Sequence, residues 1–244
     1  MEYVPSGAAD EKPMKFVPFA KSSAVILLSE LQYHPPVSFF AELLRADGLL
    51  LEAQEHYRKQ TYRNRCLIKT AQGVQPLTVP VVDGNRSEKV KTSALEIDYG
   101  QNWIHRHWRT LQTAYGSSPY FEYYADYLHD IYQQKPALLF DLNLRFLRLL
   151  LRCFRLPLPL ALTREYHTHY PATLPAMQFP ASLPVQLQGA PLLDRRDWLT
   201  PKKPEPDTLT LRPYPQVFGP RFEPGLSVLD LLFSQGPAAS QYLL

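Results

Sequence analysis

Ala24-Val25-Ile26-Leu27-Leu28, Pro35-Pro36, the run from Val37 to Ala46, Gly48 and Leu49-Leu50-Leu51 make up the stretch that decides the fold. The first run is short, continuous and apolar, as expected of a strand buried on both faces. The paired prolines stop it and open a turn. Phe40, Leu43 and Leu44 then recur at helical spacing on one side of Val37–Ala46. Gly48 lies just beyond that helix, and Leu49-Leu50-Leu51 reads as a second buried strand. The order strand, helix, strand predicts a βαβ unit with a parallel pair and a right-handed crossover. In open parallel sheets ligands sit beyond the carboxyl ends of the strands. Gln32-Tyr33 and Glu52-Ala53-Gln54-Glu55-His56 both follow predicted strands and fall at that edge.

The segment Tyr57 to Lys69 comes next and carries five cations: Arg58, Lys59, Arg63, Arg65 and Lys69. Arg63 and Arg65 are two apart, so an extended backbone puts them on one face and Asn64 on the other. Guanidinium forks there suit a phosphate or carboxylate, since each binds two oxygens at once. A solvated basic strand, or a set of structural ion pairs, explains the same residues.

Further along, Leu77-Thr78-Val79-Pro80-Val81-Val82 is strand-like, Val82-Asp83-Gly84-Asn85 signals a turn, and Ser93–Asp98 reads as a short strand. Trp103–Tyr115 is predicted helical, pairing Trp103 with His107 and Ile104 with Trp108. His107 between two tryptophans is a candidate general base, or simply a half-buried helix histidine. Tyr120–Leu128 is a tyrosine-rich helix, and Ala137–Cys153 a longer one with Arg145, Arg148 and Arg152 on one solvated stripe. From residue 156 to about 215 prolines recur, which predicts extended backbone wrapping over a core. Asp194-Arg195-Arg196-Asp197 with Lys202-Lys203 forms a charged island there. Gly225–Phe233 is an apolar helix that docks back on the core, and residues 1–20 read as a loose tail.

Composition narrows the class. The chain has 244 residues, 45% of them apolar and 20% charged, as in ordinary globular proteins. A net charge of +3 is too mild to argue for nucleic acid. Cys66 and Cys153 make neither a disulfide framework nor a metal set, and no run approaches a membrane span. His105 with His107, and His167 with His169, lack the further ligands a metal needs. A cytoplasmic protein with no metal and no tightly held cofactor is the expectation.

Several segments together resemble one family. They are Glu30–Pro36, Lys59–Arg65, Leu77–Val81, Ile97-Asp98, Trp103 through Trp108, Ala114-Tyr115, Ser118–Phe121, Asp141–Asn143, Tyr214–Phe218 and Phe222–Phe233 with Gly236-Pro237. The chain is identified by them as a member of the WbqC-like family, bacterial proteins associated with O-antigen and other surface-polysaccharide gene sets. The resemblance implies one domain over residues 21–244, with an α/β part (21–100), a helical part (101–155) and an extended Pro-rich segment ending in a docking helix (156–244). It implies transfer of an aminoacyl group, such as glycine, to an amino-sugar nucleotide. Two departures stand out: His34 replaces a more usual aliphatic residue, and a Pro-rich stretch replaces a glycine-containing middle segment.

The expected fold is therefore α/β, with a parallel-sheet, nucleotidyltransferase-like core. In the transferase reading Gln32, Tyr33 and Tyr62 line the pocket, Lys59, Arg63 and Arg65 hold the diphosphate, His107 takes the proton of the attacking amine and Asn64 orients the substrate. The alternative is a non-catalytic binding or scaffold protein of envelope assembly, in which Arg63, Asn64 and Arg65 fix the path of the chain.

Overall fold

The computed structural model describes residues 24–82, 89–203 and 211–243. The expected tail at residues 1–20 and the Asp83-Gly84-Asn85 part of the expected turn lie outside them. Strand β1 (Ile26–Glu30), helix α1 (Val37–Leu43) and strand β2 (Gly48–Glu52) form the expected unit. The strands pair in parallel, from Ile26 opposite Gly48 to Glu30 opposite Glu52. Every residue of all three elements is buried, which is why the sequence there reads as nearly unbroken apolar runs.

The antiparallel hairpin of β3 (Arg65–Thr70) and β4 (Gly73–Thr78) follows. Three helices come next: α2 (Trp103–Tyr115), α3 (Phe121–Gln133) and α4 (Leu139–Cys153). Arg145, Arg148 and Arg152 of α4 face solvent, as their stripe predicted. The strand expected at Ser93–Asp98 is instead a 3-10 turn at Thr92–Ala94 followed by isolated bridges, Glu96 to Leu138 and Ile97 to Val81. Glu96 and Ile97 pair with different segments, neither of them a strand, so no continuous ladder forms.

The Pro-rich segment supplies the outer strands. β5 (Leu160–Leu162) pairs in parallel with β2, and β6 (Leu192–Asp194) pairs in parallel with β1. The result is a four-stranded parallel sheet in the order β5-β2-β1-β6, and the protein is a mixed α/β fold.

Alternating side chains divide between two cores. Leu27, Leu49 and Leu51 join the large core made with α1 and the helical layer. Ile26, Leu28 and Leu50 point the other way and are covered by Leu174, Leu183 and Leu187 of the Pro-rich segment. A parallel sheet must bury both faces, and the prolines suit an irregular cover because they present no N–H to satisfy.

Helix α5 (Val228–Gln235) is capped by Ser227, whose hydroxyl accepts from the Leu229 N–H. Gly236 ends it with φ +53, and a Cβ there would fall 2.4 Å from the Tyr120 ring. Only glycine fits this close approach of the end of α5 to the start of α3.

Leu28→Ala empties a site with no exposure and is expected to cost about 2–5 kcal/mol in urea unfolding. Met177→Ala, in the Pro-rich segment but 98% exposed, should stay within about 0.5 kcal/mol. A small effect at Leu28 would contradict the packing of the Pro-rich segment as a second layer.

Candidate functional site

Strand order reverses at β1: the chain runs outward through β2 to β5, and then returns to place β6 on the other side. The carboxyl ends of β1 and β6 therefore flank a topological switch point. Glu30 ends β1, Glu52 ends β2, and Asp194-Arg195-Arg196-Asp197 runs off β6. An otherwise apolar sheet thus ends in a charged rim.

Each charge is partnered. Glu30 accepts at Oε1 from Gln32 Nε2 (2.7 Å) and at Oε2 from the Asp197 backbone N–H (3.0 Å). Glu52 accepts from the Thr163 hydroxyl (2.6 Å), from Tyr170 (3.2 Å) and from Arg196 Nη1 (3.3 Å). The Arg196 guanidinium lies against the Tyr166 and Tyr170 rings, donates to the His167 and Thr168 carbonyls, and pairs with Asp194. It ties the exposed loop after β5 to the end of β2.

Arg63 is 1% exposed and is held by two carboxylates. Its Nε and Nη2 donate to Glu55 at 2.6 and 2.5 Å, and its Nη1 donates to Asp197 at 3.0 Å. Burial disfavours the cation, but the Glu55 hydrogen bonds and the charges of Glu30, Glu55 and Asp197 outweigh it and raise its pKa above the ordinary arginine value. On the outer side, Arg58 Nη1 reaches Asp197 Oδ2 at 2.6 Å.

The residues singled out from sequence fall into four places: the rim, an exposed turn, the base of the hairpin and the core. Gln32 and Arg63 lie at the charged rim, and the Gln32 carbonyl oxygen is buried with no hydrogen-bond partner among the described residues. Lys59 is exposed on the turn that carries Arg58. Arg63 and Arg65 do not share a face, because residues 61–64 form turns and β3 begins only at Arg65. Arg65 donates to the Thr78 hydroxyl across the hairpin (3.1 Å), and Asn64 donates to the Val79 carbonyl (2.9 Å). Asn143 of α4 holds the Arg63 carbonyl (2.7 Å), so this turn is fixed from both sides.

Tyr33 and His107 meet in the core instead. The Tyr33 hydroxyl lies 2.9 Å from His107 Nδ1 and 2.6 Å from the Tyr132 hydroxyl, which lies 2.8 Å from His34 Nε2. Trp103 and Phe146 pack around the group. Burial pushes the His107 pKa down to about 4, opposed by a hydrogen bond to the Thr78 backbone. Burial and the neighbouring His107 push His34 down as well. His34 stands at φ +42, a left-handed backbone that the Tyr132 contact helps to hold. Tyr62 is also buried, with no partner for its hydroxyl among the described residues.

Sequence reasoning passed over Glu30, Arg58, Thr163, Tyr170 and Arg196 as members of the rim. A legible signal did exist, since Glu30 and Glu52 are each the first charge after an unbroken apolar run.

The fold and rim define a mixed α/β protein with a charged edge at the strand ends of a parallel sheet. The chain belongs to the WbqC-like protein family, whose model matches residues 32–242. It is also similar to the uncharacterized protein Rv1507c of Mycobacterium tuberculosis, with 32% identity over 228 residues that cover 89% of this chain and 96% of that one. No solved structure matches the chain. No described helix is long and apolar enough to cross a membrane.

Arg63→Ala leaves Glu55 buried without its partner and should destabilise the fold by about 3–5 kcal/mol. Arg65→Ala, which removes one half-exposed hydrogen bond to an uncharged hydroxyl and strands no buried ion, should cost about 1 kcal/mol. Chemical denaturation of the two variants side by side checks the contrast.

The buried histidines set a pH dependence. An unfolded histidine titrates near 6.5 and His107 near 4, so the unfolded chain takes up the proton first as pH falls. Stability should be full above about pH 6.5 and fall toward pH 4, with about 2 kcal/mol from His107 gone by pH 5 and His34 adding in the same direction. Urea midpoints that stay level from pH 7 to pH 5 would contradict this.

Proposed function

We propose that this WbqC-like protein is a transferase that passes an acyl group of the aminoacyl type to an amino-sugar nucleotide at the charged rim of the sheet. The observation that carries the reading is the in-register pair Glu30 and Glu52, buried at the ends of the two central parallel strands and flanked by Arg63 and Arg196. Burying an ion costs several kcal/mol even after relaxation, and apolar residues often serve stability as well or better. Charges kept at the one edge where parallel sheets bind ligands fit a role in binding and chemistry. A nucleotidyltransferase-like core is part of the same proposal, supported by the β1–turn–α1–β2 unit and the position of this edge.

In this reading Arg58 and Lys59 attract the phosphates of the nucleotide from the exposed side. The unpartnered Gln32 carbonyl accepts an N–H of the acceptor amine, which orients its lone pair. Glu30, bonded to the same Gln32 side chain, takes the proton as nitrogen attacks the carbonyl carbon of an activated acyl ester or thioester. The new C–N bond forms as the bond to the donor's oxygen or sulfur breaks. The sequence pointed to His107 for the base. Enclosed by Trp103, Tyr33 and the Thr78 backbone, and held neutral, it serves to position Tyr33 and the turn after β1.

A second reading, a binding protein without catalysis, is favoured by the engagement of Arg63 with Glu55 and Asp197. One experiment separates the two. Wild type and Glu30→Gln are assayed by mass spectrometry for acyl transfer to nucleotide-linked amino sugars, with acceptor affinity measured in parallel. The transferase reading expects activity to fall by about 10²–10⁴-fold with affinity nearly unchanged. Binding without transfer in the wild type would favour the second reading, and full activity in Glu30→Gln would remove Glu30 from the chemistry.

A further inference from the structure

Asp197 stands at the outer side of the rim, between the buried Arg63 and the exposed Arg58. It ends the Asp194–Asp197 run after β6, in a turn, and has a left-handed backbone, φ +55, which aspartate adopts more readily than most side chains. Among the described residues three hydrogen bonds hold it. Oδ2 accepts from Arg58 Nη1 at 2.6 Å, Oδ1 accepts from Arg63 Nη1 at 3.0 Å, and its own N–H donates to Glu30 Oε2 at 3.0 Å.

Two guanidiniums from one turn therefore converge on the two oxygens of a single carboxylate. That is the donor arrangement which binds the oxygens of a phosphate group. The Arg63 side is rigid, because its other nitrogens are fixed on Glu55 and its backbone on Asn143. The Arg58 and Asp197 sides are movable: their side chains are 58% and 31% exposed. An exposed ion pair contributes little stability, so an incoming dianion can compete with one carboxylate for the same donors.

We propose that Arg58 and Arg63 form a phosphate seat that the Asp197 carboxylate fills in the ligand-free protein, and that a bound phosphate displaces it. Displacement swings the Asp197 backbone away and withdraws its N–H from Glu30 Oε2. The seat thereby links arrival of the anionic group to release of the carboxylate assigned to the chemistry. The inference rests on the reading of this rim as the site of an anionic nucleotide ligand, and it adds the residue that guards the rim.

Inorganic pyrophosphate is the probe, titrated by calorimetry at constant ionic strength into wild type, Arg58→Ala and Asp197→Asn. Backbone hydrogen exchange across residues 194–200 is followed in the same samples. Wild type is expected to bind, with faster exchange at the Asp197 amide on binding. Arg58→Ala should bind about tenfold more weakly, and Asp197→Asn, which keeps the side-chain volume without the charge, about tenfold more tightly. Thermal unfolding of each variant shows whether it is folded, and if Asp197→Asn is not, wild type and Arg58→Ala decide the question alone. Pyrophosphate binding to wild type with unchanged exchange over 194–200 overturns the displacement while leaving an anion site at large. Binding to Asp197→Asn but not to wild type means that the substitution created the seat. That outcome overturns the inference, together with the anionic-ligand reading of the native rim.

Discussion

A parallel sheet has two apolar faces and no natural side for water, and the rest of this structure follows from meeting that demand. One face receives α1 and the helical layer; the other receives leucines from a proline-rich segment that forms almost no regular structure of its own. The same segment adds β5 and β6, so that β1 and β2 become central strands with neighbours on both sides. With faces and edges covered, the carboxyl ends of the strands remain as the place where polar side chains can gather.

What gathers there is a network and not a row of free charges. Glu55 and Asp197 neutralise Arg63, Asp194 and Glu52 neutralise Arg196, and Gln32 and a backbone N–H satisfy Glu30. Breaking such a pair leaves a buried ion without a partner, which is far more costly than the pair itself is stabilising. The rim is thus bound into the fold, and only its outer members, Arg58, Lys59 and Asp197, are placed to change partners. Beneath it, the Tyr33–Tyr132 hydrogen bond and its two neutral histidines fix the turn that carries Gln32.

Legibility in the sequence followed the range of the interactions. The β1–α1–β2 unit and the helices α2, α3, α4 and α5 were readable because local periodicity and punctuation reflect local backbone geometry. β5 and β6 were not, since three residues carry no period and their pairing depends on strands more than 100 residues away. The role of Arg63 was open for the same reason. Glu55 is eight residues away, but Asp197 is 134 away, and nothing near Arg63 announces it. His107 looked like a candidate base from its tryptophan neighbours, while the contact that defines its setting, Tyr33, lies 74 residues distant. The family resemblance was carried by the many matching segments together, and none of them specifies which side chains meet.

The central claim is that ligand chemistry belongs to the carboxyl rim of the sheet. A crystal structure of the protein soaked with a nucleotide-linked amino sugar tests this most directly. The account predicts density for the diphosphate beside Arg58 and Arg63, with the sugar directed toward Gln32 and Glu30. Density instead in the open cleft between the β3–β4 hairpin and α2, lined by Gln72, Arg109 and Phe218, with an unchanged rim, would contradict it.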